Sequence, residues 1–491
     1  MTNLIGIKPK TGGLYLDQLY LKRIDDQIYL VEKNLWILTE ERPKIETIET
    51  ILDEFIKDYK EKFEKNSIKI KPIFEDGKFS FRYEILGIKI CNIGKIYLKI
   101  VSGEGSFVDY LVYREENYPD VKKDTPLYVI EETKTTPAES RDLHYQRITK
   151  FAILDFYPKI QEAKKLFIYS IKTRFSTIPT SFEMASRMLK NMNVKILGLE
   201  STIINIDDKK YDKFTSLKQM CDFKNSFAKK DSGKDTPQRI DLISSDKIEV
   251  SARLQKGKNQ KSWSDPSTGF VAAVCFVIKQ AFKFSGEIKI VNHRFKNNPF
   301  RNKSKSKLVI LVSQLKNIKL GKWSFPVAKL PESYWKEETK GEKLVSILLH
   351  LAIEFTQTAK IIYENHAGCE QGYFDTNLSQ PEKYKSLLKV GTKKPDLVII
   401  DDKTKEIFIL EAEKSENTKN GIKQLKGFIN VEKDYCKKYY PGYKCERYVI
   451  LYGKHVNAPE VIFTLSTKGE IICSKNCPQV IKDAVDKIQN S

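Results

Sequence analysis

Twice along this chain a strand-like apolar run ends in acidic residues, and each time a helical pattern carrying a glutamine follows. The first run is YVIEETKTT at 128–136, with Gln146 twelve residues beyond Lys134. The second is IFILEAEKS at 407–415, with Gln424 eleven residues beyond Glu413. Side chains on a strand alternate between faces, so Tyr128, Ile130, Glu132 and Lys134 share one face while Val129, Glu131 and Thr133 share the other. In the second run Ile407, Ile409, Glu411 and Glu413 point one way and Lys414 points the other. Acids that emerge side by side from a sheet edge are either a solvated strand end or part of a site.

The elements around each run follow a similar order. The first is preceded by a helical stretch at 47–65 and the strand-like runs SFRYEILGIKI, KIYLKIV and SFVDYLVYRE. It is followed by a helical pattern, RDLHYQRITKFAILDFY, a strand KLFIYSIK and a helix PTSFEMASRMLKNM. The second is preceded by a helix read over 343–365 and the strand PDLVIID, and followed by the helix GIKQLKGFINVEKDYCKKY and the strand RYVILYG. Hairpin strands followed by alternating helix and strand predict a mixed α/β architecture. Between the two lies a region of lysine-rich loops, 196–335, with the apolar helix FVAAVCFVIKQAF. The reading is three blocks, 1–195, 196–335 and 336–491: two α/β cores flanking a basic α+β middle region. A chain of 491 residues is too long for one ordinary core.

Lys and Arg outnumber Asp and Glu by 85 to 64, a formal charge of +21. A surplus of that size favours polyanions, because each neutralised phosphate releases condensed counterions. No apolar leader opens MTNLIGIKPKTGG and no run approaches the ~18 apolar residues of a spanning helix, so a soluble, cytoplasmic protein is expected, with no membrane partner. Cys436, Cys445, Cys473 and Cys477 lack the CxxC spacing of common zinc pairs, and buried reduced thiols are the favoured reading. His350, within SILLHLAIE, reads as core. His366 and Glu364 stand just upstream of Pro395-Asp396 and either border a site there or pack a loop. The chain has no GxxxxGK[ST], GxSxG or HExxH, so P-loop, serine-elbow and zincin chemistry lack support.

Asp109, on the strand FVDYLVY, precedes Glu132 by 23 residues, a separation that a hairpin can close. Two carboxylates from neighbouring strands can hold a hard cation such as Mg²⁺, and a lysine beside them can orient water or stabilise phosphate charge. Asp109 followed by Glu132-Thr133-Lys134 resembles the signature of the PD-(D/E)XK nucleases, with Val108 where the family often has proline. Pro395-Asp396 and Glu411-Ala412-Glu413 resemble it too, with Glu413 in the usual lysine position. Arg147 and Lys150, just beyond Gln146, suit the supporting helix.

The resemblance implies a type II restriction endonuclease that cuts double-stranded DNA with Mg²⁺. Asp109, Glu132, Asp396 and Glu411 would hold metal, and Lys134 and Glu413 would complete the two catalytic sets. Such a chain would work as a monomer with two cores, one strand to each, or as a homodimer. The stretch HRFKNNPFRNKSKSK would contact DNA through Arg294, Lys296, Asn297, Asn298, Arg301 and Lys303, or be a solvated loop. A structure-specific nuclease of repair or mobile-element processing, and a DNA-binding protein on inactive cores, are the alternatives.

Overall fold

The structure is a computed structural model, which describes residues 21–24, 27–30, 33–103, 108–133, 147–169, 180–198, 212–226, 239–252, 266–292, 307–321, 330, 335–336, 341–366, 373–379, 383–387 and 393–491. It is a mixed α/β protein whose chain divides into two compact units. One comprises Met1–Ser102, Arg114–Pro119 and Lys336–Ser491, and the other Gly103–Tyr113 and Asp120–Trp335. The units interleave along the chain, whereas the blocks read from the sequence are consecutive; the cut near 335 coincides and the one at 195 falls inside the second unit. No helix among the described residues is long and apolar enough to cross a membrane.

The first unit opens with strand β1 (Lys33–Thr39), helix α1 (Ile45–Tyr59) and strands β2 (Phe63–Glu75), β3 (Lys78–Ile90) and β4 (Ile93–Ile100), which pair in the order β1-β4-β3-β2. The sequence reading carried α1 on to residue 65. The helix ends instead at Lys60, whose left-handed backbone (φ 53°) closes it, and Phe63 begins a strand.

The second unit carries strand β5 (Tyr110–Glu115) up to Tyr113, and then β6 (Tyr128–Thr133), β7 (Lys164–Tyr169), helix α2 (Thr180–Asn191) and β8 (Val194–Gly198). β5 is antiparallel to β6, while β6, β7 and β8 run parallel. A helical segment at 147–154 lies in the first crossover and α2 in the next, as parallel strands require. The same order recurs in β9 (Arg239–Ser244), β10 (Lys247–Ala252), β11 (Glu287–Asn292) and β12 (Ile318–Lys319). Here an antiparallel pair is followed by two parallel steps, crossed by α3 (Pro266–Phe276) and α4 (Lys307–Gln314).

The chain then returns to the first unit with α5 (Gly341–Thr356), β13 (Lys360–Glu364), β14 (Leu397–Asp401), β15 (Glu406–Lys414), α6 (Thr418–Leu425), β16 (Lys444–Tyr452), β17 (Val461–Leu465), β18 (Ile471–Cys473) and α7 (Gln479–Gln489). The strands form one sheet in the order β13 to β18. α5 is buried on every side, residues 343–353 all being buried, because it lies between the sheet and a layer formed by α7 and β2. The opposite face of the sheet packs Val398, Ile400, Ile407 and Ile409 against Leu425 and Phe428.

The helix read over 343–365 is in fact two elements. α5 stops at Thr356, Gln357 turns with φ 53°, and the β-branched KIIYE segment becomes edge strand β13, antiparallel to β14. That change brings residues 364–366 alongside Asp396.

Gly341 starts α5 against the ring of Tyr452, where an added Cβ would lie 1.9 Å from a ring carbon. Gly341→Ala should therefore destabilise the protein by about 1–3 kcal/mol through overpacking. Denaturant unfolding checks this; an unchanged midpoint would mean the ring moves aside freely.

Candidate metal centre on a strand hairpin

Three antiparallel hairpins place an aspartate opposite a glutamate. In β5/β6, Tyr110 pairs with Ile130, so one step further Asp109 stands opposite Glu131. In β14/β15, Leu397 pairs with Leu410, and Asp396 stands opposite Glu411. In β9/β10, Asp241 pairs directly with Glu249. The first two share a further detail. Asp109 Oδ2 accepts a hydrogen bond from the backbone N–H of Glu132 at 2.7 Å, and Asp396 Oδ2 accepts one from Ala412 at 2.8 Å. In both, the aspartate side chain satisfies the amide just after the facing glutamate.

This register moves one residue of the sequence reading. Asp109 and Glu132 do not share a face: Glu132 Oε2 accepts the hydroxyl hydrogen of Tyr110 at 2.7 Å on the other side of the sheet, and Glu131 faces Asp109 instead. The cause is the period of two: fitting E-x-K to the sequence selects Glu132, whereas the ladder pairs Asp109 with its neighbour. Lys134 lies outside the described residues, as do Arg294, Lys296, Asn297, Asn298, Arg301 and Lys303. Asp396, Glu411 and Glu413 fall on one face, as the alternation predicts.

The hairpins differ in what surrounds the glutamate. Glu131 is completely buried and takes both its oxygens to Lys150 Nζ (2.7 and 2.9 Å) and one to Arg147, which also reaches Asp109 Oδ2 at 3.3 Å. Burial holds its carboxyl above the ordinary range, and the two cations oppose that. Glu249 pairs with Lys289 on the neighbouring strand at 3.4 Å, and Asp241 with Arg239 at 2.8 Å.

Glu411 has no such compensation. It is 7% exposed, forms no ion pair among the described residues, and its buried Oε2 has no hydrogen-bond partner. Burial first, then the charges of Asp396 and Glu413, push its pKa up to about 9, with Lys393 pulling the other way. Glu413 is half-buried and accepts a hydrogen bond from Gln424 Nε2 at 2.9 Å; burial and then Glu342 raise it as well. Gly421 allows α6 to lie this close, since a Cβ there would come 2.9 Å from Glu413 Cγ.

Sequence reading missed two members of this neighbourhood. Asn365 N–H donates to Asp396 O at 2.7 Å, which sets Asn365 beside Asp396 on the next strand, and its buried Oδ1 has no partner. Asn365, Asp396 and Glu411 thus form a row across three strands, with two unpartnered buried oxygens. Lys393, exposed in the loop before β14, supplies the positive charge for which the sequence offered no residue. Its signal was only its place three residues before Asp396.

Such a row is a fit for a hard cation, which takes oxygen ligands and needs only one or two carboxylates when it keeps its waters. Asp396, Glu411 and Glu413 do not converge more tightly than that. Among the described residues, the one group of three or more His, Cys, Asp or Glu with ligand atoms all within 4.8 Å is His350, Glu364 and His366. The four C-terminal cysteines form no such group; they are free thiols, Cys436 hydrogen-bonded with Cys445 and Cys473 with Cys477. Comparison with protein families, curated proteins and solved structures finds no match to this chain.

Two outcomes follow from these charge patterns. Glu131→Ala strands Arg147 and Lys150 beside Asp109 and should cost about 3–5 kcal/mol in urea unfolding. Glu411 has a folded pKa above its ordinary 4.5, so the folded state holds the extra proton and the metal-free protein loses stability as pH rises from 4.5 towards 9. Glu411→Gln should flatten that slope and raise the melting temperature at pH 8, and Mg²⁺ should do the same for the unaltered chain. Parallel wild-type and variant melts from pH 5 to 9 would contradict the assignment.

Proposed function

We propose that this protein hydrolyses phosphodiester bonds in double-stranded DNA with a divalent cation held by Asp396 and Glu411. The observation that carries the reading is the unpartnered buried Oε2 of Glu411, on a face shared with Asp396, Glu413 and Asn365. A buried carboxylate without a cation is costly and takes up a proton instead, and a metal ion at this face would displace that proton. Mg²⁺, the expected ion, would supply Lewis acidity and a water of lowered pKa.

The chain's own residues have separable parts in this reading. Asp396 is held by the Ala412 amide, and Glu411 stands opposite it. Glu413, fixed by Gln424, accepts a proton from the attacking water, a task its raised pKa suits. Lys393 offers positive charge to the phosphate. Lys419 and Lys423 on α6 and Lys426 at its C-cap are exposed at helical spacing and give the surface beside the hairpin the charge a polyanion requires.

The sequence-specific, restriction-type form of the activity, and the PD-(D/E)XK character of both cores, rest on the motif resemblance together with the Asp-to-amide bond that the β5/β6 and β14/β15 hairpins share. Because Arg147 and Lys150 already neutralise Glu131, we assign the chemistry to the C-terminal hairpin alone and a supporting role to the N-terminal one.

Supercoiled plasmid incubated with the purified protein and Mg²⁺ tests this. Discrete bands that EDTA abolishes are expected of a restriction-type enzyme, whereas cutting confined to flaps or junctions would indicate the repair-type alternative. Asp396→Ala should lower the cleavage rate at least a hundredfold, while Arg147→Gln should leave a measurable rate. Double-strand cleavage that survives Asp396→Ala would remove the C-terminal assignment.

A further inference from the structure

On the opposite face of the same sheet, three buried side chains turn their donor atoms toward one point. His350 projects from α5, Glu364 ends β13, and His366 follows two residues later; they are 2%, 8% and 1% exposed. His350 Nδ1 lies 2.9 Å from His366 Nε2 and 3.0 Å from Glu364 Oε2, and His366 Nε2 lies 3.4 Å from the same oxygen. The centre of that triangle is about 1.8 Å from each corner, so an ion about 2.0–2.1 Å from all three, the zinc–nitrogen and zinc–oxygen bond length, sits slightly above its plane.

Hydrogen bonds alone serve this arrangement poorly. His366 Nδ1 lies 2.9 Å from Ser346 Oγ, which in turn donates to Lys343 O, so the hydroxyl accepts and His366 carries its proton on Nδ1. Nε2 is then a lone pair, and the single hydrogen on His350 Nδ1 would have to serve both that lone pair and Glu364. A cation serves all three at once.

Two of the three donors, His366 and Glu364, are held from behind as metal ligands are, and His350 faces an acid at longer range. Ser346 fixes one imidazole. Glu354 stands 3.9 Å from His350 Nε2, and Arg42 grips Glu364 with Nε to Oε2 at 2.7 Å and a second nitrogen to Oε1 at 3.0 Å. Arg42 also brings positive charge, which Glu354 partly offsets at 3.2 Å. A carboxylate has lone pairs enough for both an arginine and a metal. Burial keeps both imidazoles neutral at ordinary pH, the form that binds metal. A cleft of about 690 Å³ lined by His350, Glu354 and Glu364 gives an ion and a fourth, water ligand a way in.

We propose that His350, Glu364 and His366 bind a zinc-type transition-metal ion that locks α5 to the edge strand β13. Nitrogen ligands suit zinc or cobalt and not Mg²⁺, so this site is chemically distinct from the hairpin acids and stands whether or not the nuclease reading does.

The experiment uses the full chain, stripped with chelator and titrated with Co²⁺ and then Zn²⁺. One equivalent should bind with the visible absorption of a tetrahedral nitrogen and oxygen site, and zinc should raise the melting temperature. His366→Gln should lower cobalt affinity at least tenfold, and Asp396→Asn should leave it unchanged. X-ray absorption of the zinc-loaded, unaltered chain should show two imidazoles, a readout independent of whether the variant folds. Absence of stoichiometric binding, a thiolate signature pointing to the cysteines, or loss of binding in Asp396→Asn would each overturn the assignment.

Discussion

Where an antiparallel ladder runs out, the next amide on the longer strand loses its carbonyl partner, and something else must accept its hydrogen. In the β5/β6 and β14/β15 hairpins an aspartate does so through Oδ2, at Glu132 and at Ala412. An amide left without a partner in a buried place costs about 1–3 kcal/mol, so this bond fixes the aspartate's rotamer at the end of the ladder. The facing glutamate is then placed by strand pairing alone. The arrangement of acids in both hairpins depends on this one substitution of a side chain for a carbonyl.

Given that frame, burial leaves a glutamate few choices. Glu131 takes two cations from the helical segment that follows its strand, and Glu249 takes one from the neighbouring strand. Glu411 takes neither, and its raised pKa expresses the same burial as a held proton. The three hairpins thus show one backbone geometry in which the glutamate is neutralised or left without an ion pair, according to whether a lysine or arginine of another element reaches its carboxylate.

How much of this was legible in the sequence follows from the loops. The second hairpin turns within residues 402–405, so its register is nearly fixed by the turn, and the shared face of Asp396, Glu411 and Glu413 could be counted out in advance. The first connects β5 to β6 across residues 116–127, a length that leaves register open, and the motif template then chose Glu132 over Glu131. Asn365 stayed hidden, and so did the convergence of His350, read as core, with Glu364 and His366, which the sequence set either at the border of a site or in a packed loop; the reason is a different one. KIIYE continues the apolar run of α5, and only the left-handed turn at Gln357, which glutamine does not announce, separates helix from strand.

The first unit is assembled from both ends of the chain, with the second inserted between them. Arg42, for instance, finds its partner in Glu364, 322 residues later. On a ribosome the N-terminal strands therefore emerge well before the helix and sheet that cover them. At roughly 5–20 residues per second, the wait is on the order of ten seconds or more. Throughout that interval β2 exposes the surface that α5 will bury, while the inserted unit already has its whole sequence outside the exit tunnel. Nascent-chain survival, more than the stability of the finished fold, is where such an order of assembly would be felt.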